Sequence, residues 1–462
     1  MSVPARLQPL LDPASPVQQL ARLLVDAGRQ CYLVGGSVRD AFFDTELHDI
    51  DVTTDARPDE VERLVGPWAD HVWLQGKRFG TVGASREGMR FEITTFRAEA
   101  YRPESRKPEV AYSDDIVTDL SRRDFTVNAM ALRLPEPELV DPYDGAVDLA
   151  ARRLRTPLSP DDAFLDDPLR MLRAARFVAQ FGLTPDPELV AAIERHRHRL
   201  EIVSMERIRD ELSKLLLVDD PTAGLWFLAE TGLADEFLPE LNAMRLEQDP
   251  IHTHKDVLAH TIAVVRNTRP ELVVRLGALF HDVGKPKTRS FASGAVSFHH
   301  HEVVGARMTE ERLRALKYPN EVVDDVTQLV YLHLRFHGYG ENDGWTDAAV
   351  RRYVRDAGAL LDQLNQLTRA DCTSRNKARA EALQQRMDDL VRRIGELREQ
   401  EELDAIRPDL DGNQVMDLLG VGPGPVVGRA LAYLLEMRLD EGPLAEDEAR
   451  RRLTDWWAQQ PH

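Results

Sequence analysis

The chain has 462 residues, with 59 Lys+Arg against 78 Asp+Glu for a formal net charge of −19, and is 43% hydrophobic and 30% charged. That length and balance imply about three or four folded units and exclude collagen-like, disordered and membrane classes. Two cysteines, Cys31 and Cys372, are too few and too far apart for a disulfide framework or a thiolate metal cage, so a reducing cytoplasm is expected.

The N-terminal stretch MSVPARLQPLLDPASP has no continuous apolar run and is not read as a signal peptide. Residues 1–29 form a helical extension. From 30 to 55 the pattern is strand (CYLVGG), glycine turn, helix (SVRDAFFDT) and strand (HDIDVTT). Further β-like runs are HVWLQ, TVGAS and MRFEITTFR, followed by a polar, proline-containing stretch at 98–115. These make an α+β head over 30–155. The signal then turns helical. Asp166-Asp167-Pro168 is a helix start and Gly182 its stop, in a helical neck over 156–245. A histidine-rich helical zone occupies 246–376. A charged helix (377–404) opens the C-terminal helical region, 377–462. No run of about 18 apolar residues exists to span a bilayer, so no membrane partner is expected. The acidic balance leaves nucleic acid possible through a locally basic groove.

Asp49-Ile50-Asp51 ends a β-like run fourteen residues after Gly35. Residues i and i+2 of a strand share a face, so both carboxylates can point the same way. They repel unless a divalent cation lies between them. Mg²⁺ takes one or two carboxylates and completes its octahedron with phosphate and water. Glu92, in the strand RFEITTFR, could complete a two-metal clamp on a phosphoryl displacement. The Gly35-Gly36-Ser37 turn offers backbone N–H groups to a triphosphate.

The ordered motifs LVGGSVRD, DIDVTT, EITTFR, RRDFTVNAMAL, DDPLRMLRAARF and SMERIRDEL resemble the class II tRNA nucleotidyltransferases (the CCA-adding enzymes) and the bacterial poly(A) polymerases related to them. The resemblance covers roughly residues 30–240. It implies a five-stranded, polymerase-β-like mixed-sheet head on an all-helical neck. It also implies that Asp49 and Asp51 hold Mg²⁺ with Glu92 a third acid. Gly35, Gly36, Ser37, Arg39 and Arg123 would meet the incoming nucleotide, with Asp124 and Asn128 near its sugar.

Asp167, Arg170, Arg173 and Arg176 recur every three residues in a helical segment. The first three cluster while Arg176 lies further round. A carboxylate beside a guanidinium presents acceptors and donors in a fixed fork. The resemblance implies that Asp167 and Arg170 read the Watson–Crick edge of C or A as a protein template, with Arg173 and Arg176 facing base or phosphates. The stretch 98–115 resembles the family's flexible loop, whose presence favours completing the terminal A.

Nine histidines fall between 252 and 337. His281-Asp282, with His260 upstream and Asp371 downstream, resembles the HD phosphohydrolase superfamily, whose H…HD…D set holds a divalent cation. His301 and His333 are extra ligands of the kind found in two-metal members. Imidazole with carboxylate favours Mn, Fe, Ni or Zn over Mg²⁺ alone, and such a metal would activate water against a phosphoester. His252, His254, His299 and His300 are read as bystanders. In the C-terminal segment Gly420, Gly422, Gly424 and Gly428 suit either a backbone approach to phosphate or a tight turn between packed helices. Resemblance to the family's tail favours RNA contact.

The expected function is CCA addition to the tRNA 3′ acceptor end from CTP and ATP with Mg²⁺, without a nucleic-acid template and with release of pyrophosphate. An accessory HD phosphohydrolase activity is expected beside it. The alternatives are a bacterial poly(A) polymerase, for which no basic tail is present, and a tRNA-binding protein whose only active site is the HD centre. No stable protein partner is inferred.

Overall fold

The structure, a computed structural model, describes residues 5–43, 49–100, 109–246, 256–292, 295–338, 345–372, 377–401 and 406–460. The chain divides into two units, residues 1–239 and 240–462.

In the first unit the strands are β1 (Cys31–Val34), β2 (Asp49–Thr54), β3 (His71–Trp73), β4 (Thr81–Arg86), β5 (Met89–Thr95), β6 (Arg97–Ala100), β7 (Glu109–Tyr112), β8 (Ala131–Leu134) and β9 (Glu138–Val140). Seven of them form one sheet in the order β3-β4-β5-β2-β1-β8-β9. The expected five-stranded head is therefore a seven-stranded one, because two three-residue strands, β3 and β9, extend its edges. The sheet is mixed: β2 and β5 run parallel while its other neighbours pair antiparallel. β1 lies inside the sheet with all four residues buried, which accounts for its unbroken apolar run. Tyr32 and Val34 pack with Phe96, Ile116 and Leu120. The ends of the polar stretch at 98–115 pair as the β6–β7 ribbon; residues 101–108 lie outside the described residues.

Helix α1 (Pro16–Asp26) is capped by the Ser15 hydroxyl and starts on proline, as the physics of a helix N-terminus favours. The run SVRDAFFDT makes only a one-turn helix, α2 (Gly36–Arg39), continued as a 3₁₀ turn over Asp40–Phe42. Helix α3 (Ile116–Ser121) leads to the RRDF motif. The neck comprises α4 (Pro160–Asp166), α5 (Leu169–Phe181), α6 (Pro187–His196), α7 (Met205–Leu216) and α8 (Thr222–Glu230). Gly182, left-handed at φ 61°, ends α5, where the sequence placed the stop. Asp167 is not inside a helix, contrary to the three-residue reading. Its extended backbone (φ −140°, ψ 100°) caps α4 while Pro168 starts α5, since the residue before a proline avoids the helical region. Phe125, Phe177 and Phe181 pack in tilted and edge-to-face contacts at ring separations of 5.1 Å, and the Arg39 guanidinium lies 4.4 Å over Phe181. Aromatic and cation–π packing thus seats α5 against Arg39 and the glycine turn that precedes it.

The second unit carries α9 (Val257–Asn267), α10 (Leu272–Phe280), a ribbon of β10 (Arg289–Ala292) and β11 (Ala295–Phe298), then α11 (His301–Ala315), α12 (Asn320–Leu332), α13 (Asp347–Ala357) and α14 (Leu361–Asp371). α10 packs against α9, α12 and α14. Beyond the charged α15 (Lys377–Gln400), helices α16 (Gly412–Leu419), α17 (Pro425–Glu441) and α18 (Glu446–Trp457) share a core of Val415, Leu434 and Leu453. Gly420 ends α16 in the left-handed region. A Cβ on Gly422, Gly424 or Gly428 would meet nothing within 4 Å, so tight helix packing does not require those three glycines. Among the described residues no helix is long and apolar enough to cross a membrane.

Candidate active sites

In the first unit, Asp51 on β2 stands in register with Glu92 on the parallel β5, and both line a cavity of about 720 Å³. Asp49 shares their strand face but lies exposed at the end of β2, outside the cavity lining. The Ser37 hydroxyl accepts from the Asp51 N–H (2.8 Å) and donates to the Asp49 carbonyl (3.2 Å). Ser37 therefore fastens the glycine turn to the carboxylate strand. Gly35 sits at φ 60°, and a Cβ there would lie 3.0 Å from Arg123 Nη1 and 3.6 Å from Asp51 Oδ2. Only glycine lets the backbone come this close. Burial, with repulsion from Glu92 and Asp49, pushes Asp51 up to about 6 against the pull of Arg123 and Arg39. A carboxylate so burdened gains from a cation beside it, so these acids fit a divalent metal.

A chain of polar contacts closes the opposite wall. Arg39 Nη1 donates to Asn128 Oδ1 (2.6 Å), Asn128 Nδ2 to Asp124 Oδ1 (2.8 Å), and Arg173 Nε to Asp124 Oδ2 (2.8 Å). Burial opposes the charge on Asp124, but Arg173 and Asn128 outweigh it and hold the carboxyl well below the usual range. Asp167 and Arg170 both reach the cavity, though not as a pair. Asp167 Oδ2 accepts from Arg207 Nη2 at 2.8 Å, and Arg170 donates to the carbonyls of Arg122 and Ala163. Arg176 is turned away onto Glu211 (2.9 Å) and Gln180 (2.8 Å) and does not line the cavity. Arg97, Arg122 and Arg207 do line it and were not singled out from sequence. Arg122 adjoins Arg123, and Arg207 lies within SMERIRDEL, so only the motifs' extent could have signalled them.

In the second unit the structure gathers all six expected ligands. They sort into two groups, His260/His281/Asp371 and Asp282/His301/His333, the ligand atoms of each within 4.8 Å of one another. His281, His301 and His333 each donate Nδ1–H to a carbonyl three residues earlier, that of Ala278 (2.8 Å), Phe298 (2.8 Å) and Val330 (2.6 Å). This orients each ring and aims its Nε2 inward. The Nε2 atoms of His301 and His333 are 3.2 Å apart, and those of His281 and His260 3.4 Å. His260 Nε2 lies 2.8 Å from Asp371 Oδ1, and His301 Nε2 3.4 Å from Asp282 Oδ1. Burial works against charge on His281, yet Asp282 and Asp371 push it up to about 10. His333, buried beside it, is pushed down to about 3. Converging imidazoles and carboxylates with satisfied outer nitrogens fit divalent metal ions. His299 and His300 are exposed and outside the cluster, and His252 and His254 lie outside the described residues.

Comparison with known proteins places three family models in order along the chain. They are a poly A polymerase head domain over residues 31–155, the family described as "Probable RNA and SrmB- binding site of polymerase A" over 182–245, and an HD domain over 257–376. An A-adding tRNA nucleotidyltransferase of Deinococcus radiodurans is 37% identical over 360 residues, 74% of this chain and 79% of that protein. A CCA-adding enzyme of Bacillus subtilis is 40% identical over 216 residues, so the alignment spans 46% of this chain and 53% of that relative. The crystal structure of the Bacillus stearothermophilus CCA-adding enzyme in complex with CTP shares the fold, with a TM-score of 0.67, 24% identity and coverage of 99% and 98% of the two chains. The Thermotoga maritima CCA-adding enzyme complexed with tRNA does so with a TM-score of 0.61 and 18% identity over 98% of each chain.

Proposed function

The chain belongs to the tRNA nucleotidyltransferase and poly(A) polymerase family, and on that premise we propose that it adds C, C and A to the tRNA 3′ end from CTP and ATP. The observation that carries this reading is the cavity in which Asp51 and Glu92 face Arg39, Arg123 and Arg173. Asp51 and Glu92, with Asp49 at the strand end, would hold Mg²⁺. When bound, the metal supplies charge neutralisation at the α-phosphate and an activated RNA 3′-hydroxyl. The 3′-hydroxyl gives up its proton to solvent as its oxygen bonds to the α-phosphorus, the bond from that phosphorus to the α–β bridging oxygen breaks, and pyrophosphate leaves. Arg39 and Arg123 carry the triphosphate charge, and the Gly35-Gly36 turn admits it to the backbone. Asp124 and Asn128 receive the sugar. Asp167 and Arg170 exchange their present partners for the Watson–Crick edge of the base, so the protein acts as template and catalysis is chiefly positioning.

A second reading, addition of the terminal A alone, is favoured by one observation. The relative matched across 74% of the chain is named as A-adding, whereas the CCA-adding relatives align over about half of it. Poly(A) synthesis and a purely HD-dependent protein are not favoured, since these relatives are named for CCA addition or for A addition to tRNA. Extension of tRNA ending before CCA, in C and in CC, with CTP and ATP supplied separately, decides. Two C additions followed by one A and termination sustain CCA addition. Incorporation of A alone, and only onto the CC end, moves the protein to the second reading.

For the HD centre we propose a phosphohydrolase using Mn, Fe, Ni or Zn on 2′,3′-cyclic or 2′-phosphate esters. We propose the five-part division 1–29, 30–155, 156–245, 246–376 and 377–462, and a cytoplasmic location, consistent with two free, buried cysteines.

A further inference from the structure

The β10–β11 ribbon joins two ligand-bearing segments of the HD centre. Lys285 and β10 follow Asp282, and β11 runs directly into His301. Its register pairs Arg289 with Phe298 and Phe291 with Val296. Because directly opposed residues and alternate residues of a strand share a face, these four side chains lie on one side of the ribbon. Phe291 is 68% exposed, the most exposed large hydrophobic among the described residues, and the Arg289 guanidinium lies 4.9 Å over its ring. At the other end of the stripe, Lys285 Nζ lies 5.7 Å over the Phe298 ring and 2.7 Å from Asp282 Oδ2. The Phe298 carbonyl holds His301 Nδ1 at 2.8 Å. Ring, cation, ring and cation thus run in sequence from solvent to the ligand cluster, with Lys287 exposed beside them.

An exposed aromatic flanked by cations is the chemistry that binds a base by its face and its phosphate by charge. We propose that this ribbon is a base-stacking subsite of the HD centre: a nucleobase lies on Phe291 and Arg289, and its phosphoester reaches the cluster past Lys285. The ligand class is therefore a nucleobase-bearing phosphoester, free or at an RNA end, in preference to a small alkyl phosphate. This deepens the phosphohydrolase reading and rests on it for the ester's destination.

Two measurements on the full-length protein test it. The first compares kcat/KM for adenosine 2′-monophosphate and for glycerol 2-phosphate with Mn²⁺, in wild type, Phe291→Ala and Phe291→Trp. The preference for the nucleotide falls about tenfold in Phe291→Ala, the size of one base stacked on a ring, mainly through KM, and Phe291→Trp retains it. An unchanged preference in Phe291→Ala overturns a subsite for free nucleotides. The second needs no turnover: an RNA oligonucleotide with a 3′-terminal 4-thiouridine is photocrosslinked, and labelled peptides within residues 285–300 are expected in wild type and lost in Phe291→Ala. Crosslinking without hydrolysis of either ester leaves the subsite standing and removes the phosphohydrolase reading. Absence of both the crosslink and the preference removes the subsite.

Discussion

Asp51 is held against its own repulsions: it is half-buried, in register with Glu92, and two residues from Asp49. Asp51→Asn relieves that repulsion, so a small rise in Tm is expected together with loss of nucleotide addition. A site that organises a metal at a phosphoryl group contributes several kcal/mol, so single-turnover CTP incorporation should fall by about 10³-fold or more. An active variant would place the metal elsewhere. Asp167 tests base reading separately. Its carboxylate accepts from Arg207 and can exchange that donor for a base amino group. Asp167→Ala is therefore expected to lower discrimination of CTP against UTP by about 10–100-fold, the worth of a lost charged hydrogen bond, measured as a kcat/KM ratio. Unaltered discrimination would assign Asp167 to holding Arg207. Residue type and order made all six members of the HD cluster legible, because few side-chain types can converge to hold a metal. Arginine partners were not legible. Nothing in RMLRAARF says that Arg173 takes Asp124 while Arg176 takes Glu211, since the choices depend on where the RRDF motif and α7 pack against α5.

At the scale of elements, the helix leading into the RRDF motif is anchored by one buried carboxylate. Asp119 in α3 accepts from Arg122 (2.7 Å), Arg123 (3.2 Å) and the Arg97 N–H (3.1 Å). Burial opposes its charge, but Arg122 and Arg123 outweigh burial and hold it below the usual aspartate value. A folded value below the unfolded one gives stability that is complete above about pH 4 and lost as pH falls through the lowered value. Asp119→Asn should cost about 1–3 kcal/mol at neutral pH, because it leaves two half-buried guanidinium groups without their charged partner. The urea midpoints of wild type and variant should then converge as pH falls below the usual aspartate value. Parallel curves would exclude Asp119 as the titrating anchor. The α5–α7–α8 junction is tested by Gly224, where a Cβ would lie 2.5 Å from the Ala175 carbonyl and 2.5 Å from Leu215 Cδ1. Gly224→Ala should destabilise by about 1–3 kcal/mol, read as a lower denaturation midpoint with an unchanged m-value. Long elements with strong ends, such as α5 between Pro168 and Gly182, were legible from caps alone. The run HVWLQ marked the edge strand β3, whereas β8 and β9, of four and three residues, were too short for alternation to declare. The β6–β7 ribbon lies in a stretch whose composition is that of a loop.

For the whole molecule, a net charge of −19 coexists with a cavity lined by seven arginines and four carboxylates. Composition averages over both and locates neither; the fold concentrates positive charge where a triphosphate would enter. The two sites also differ in donor chemistry. The first unit offers carboxylate oxygens, which suit Mg²⁺. The second offers four imidazoles with two carboxylates, which bind first-row transition metals more tightly than Mg²⁺. Stripping the protein with a chelator should therefore abolish nucleotide addition and phosphoester hydrolysis together, while the order of recovery separates them. Mg²⁺ at millimolar level should restore tRNA extension and leave hydrolysis absent. Mn²⁺ or Ni²⁺ should restore hydrolysis, and His301→Ala should block that recovery without touching the ligands of the first site. Metal analysis of the stripped and reloaded protein supplies the readout independent of turnover: transition metal should remain after dialysis against Mg²⁺ in wild type and be lost in the variant. Recovery of hydrolysis by Mg²⁺ alone would mean that the imidazoles bind no metal that matters to it, and the division of labour between the two units would fail.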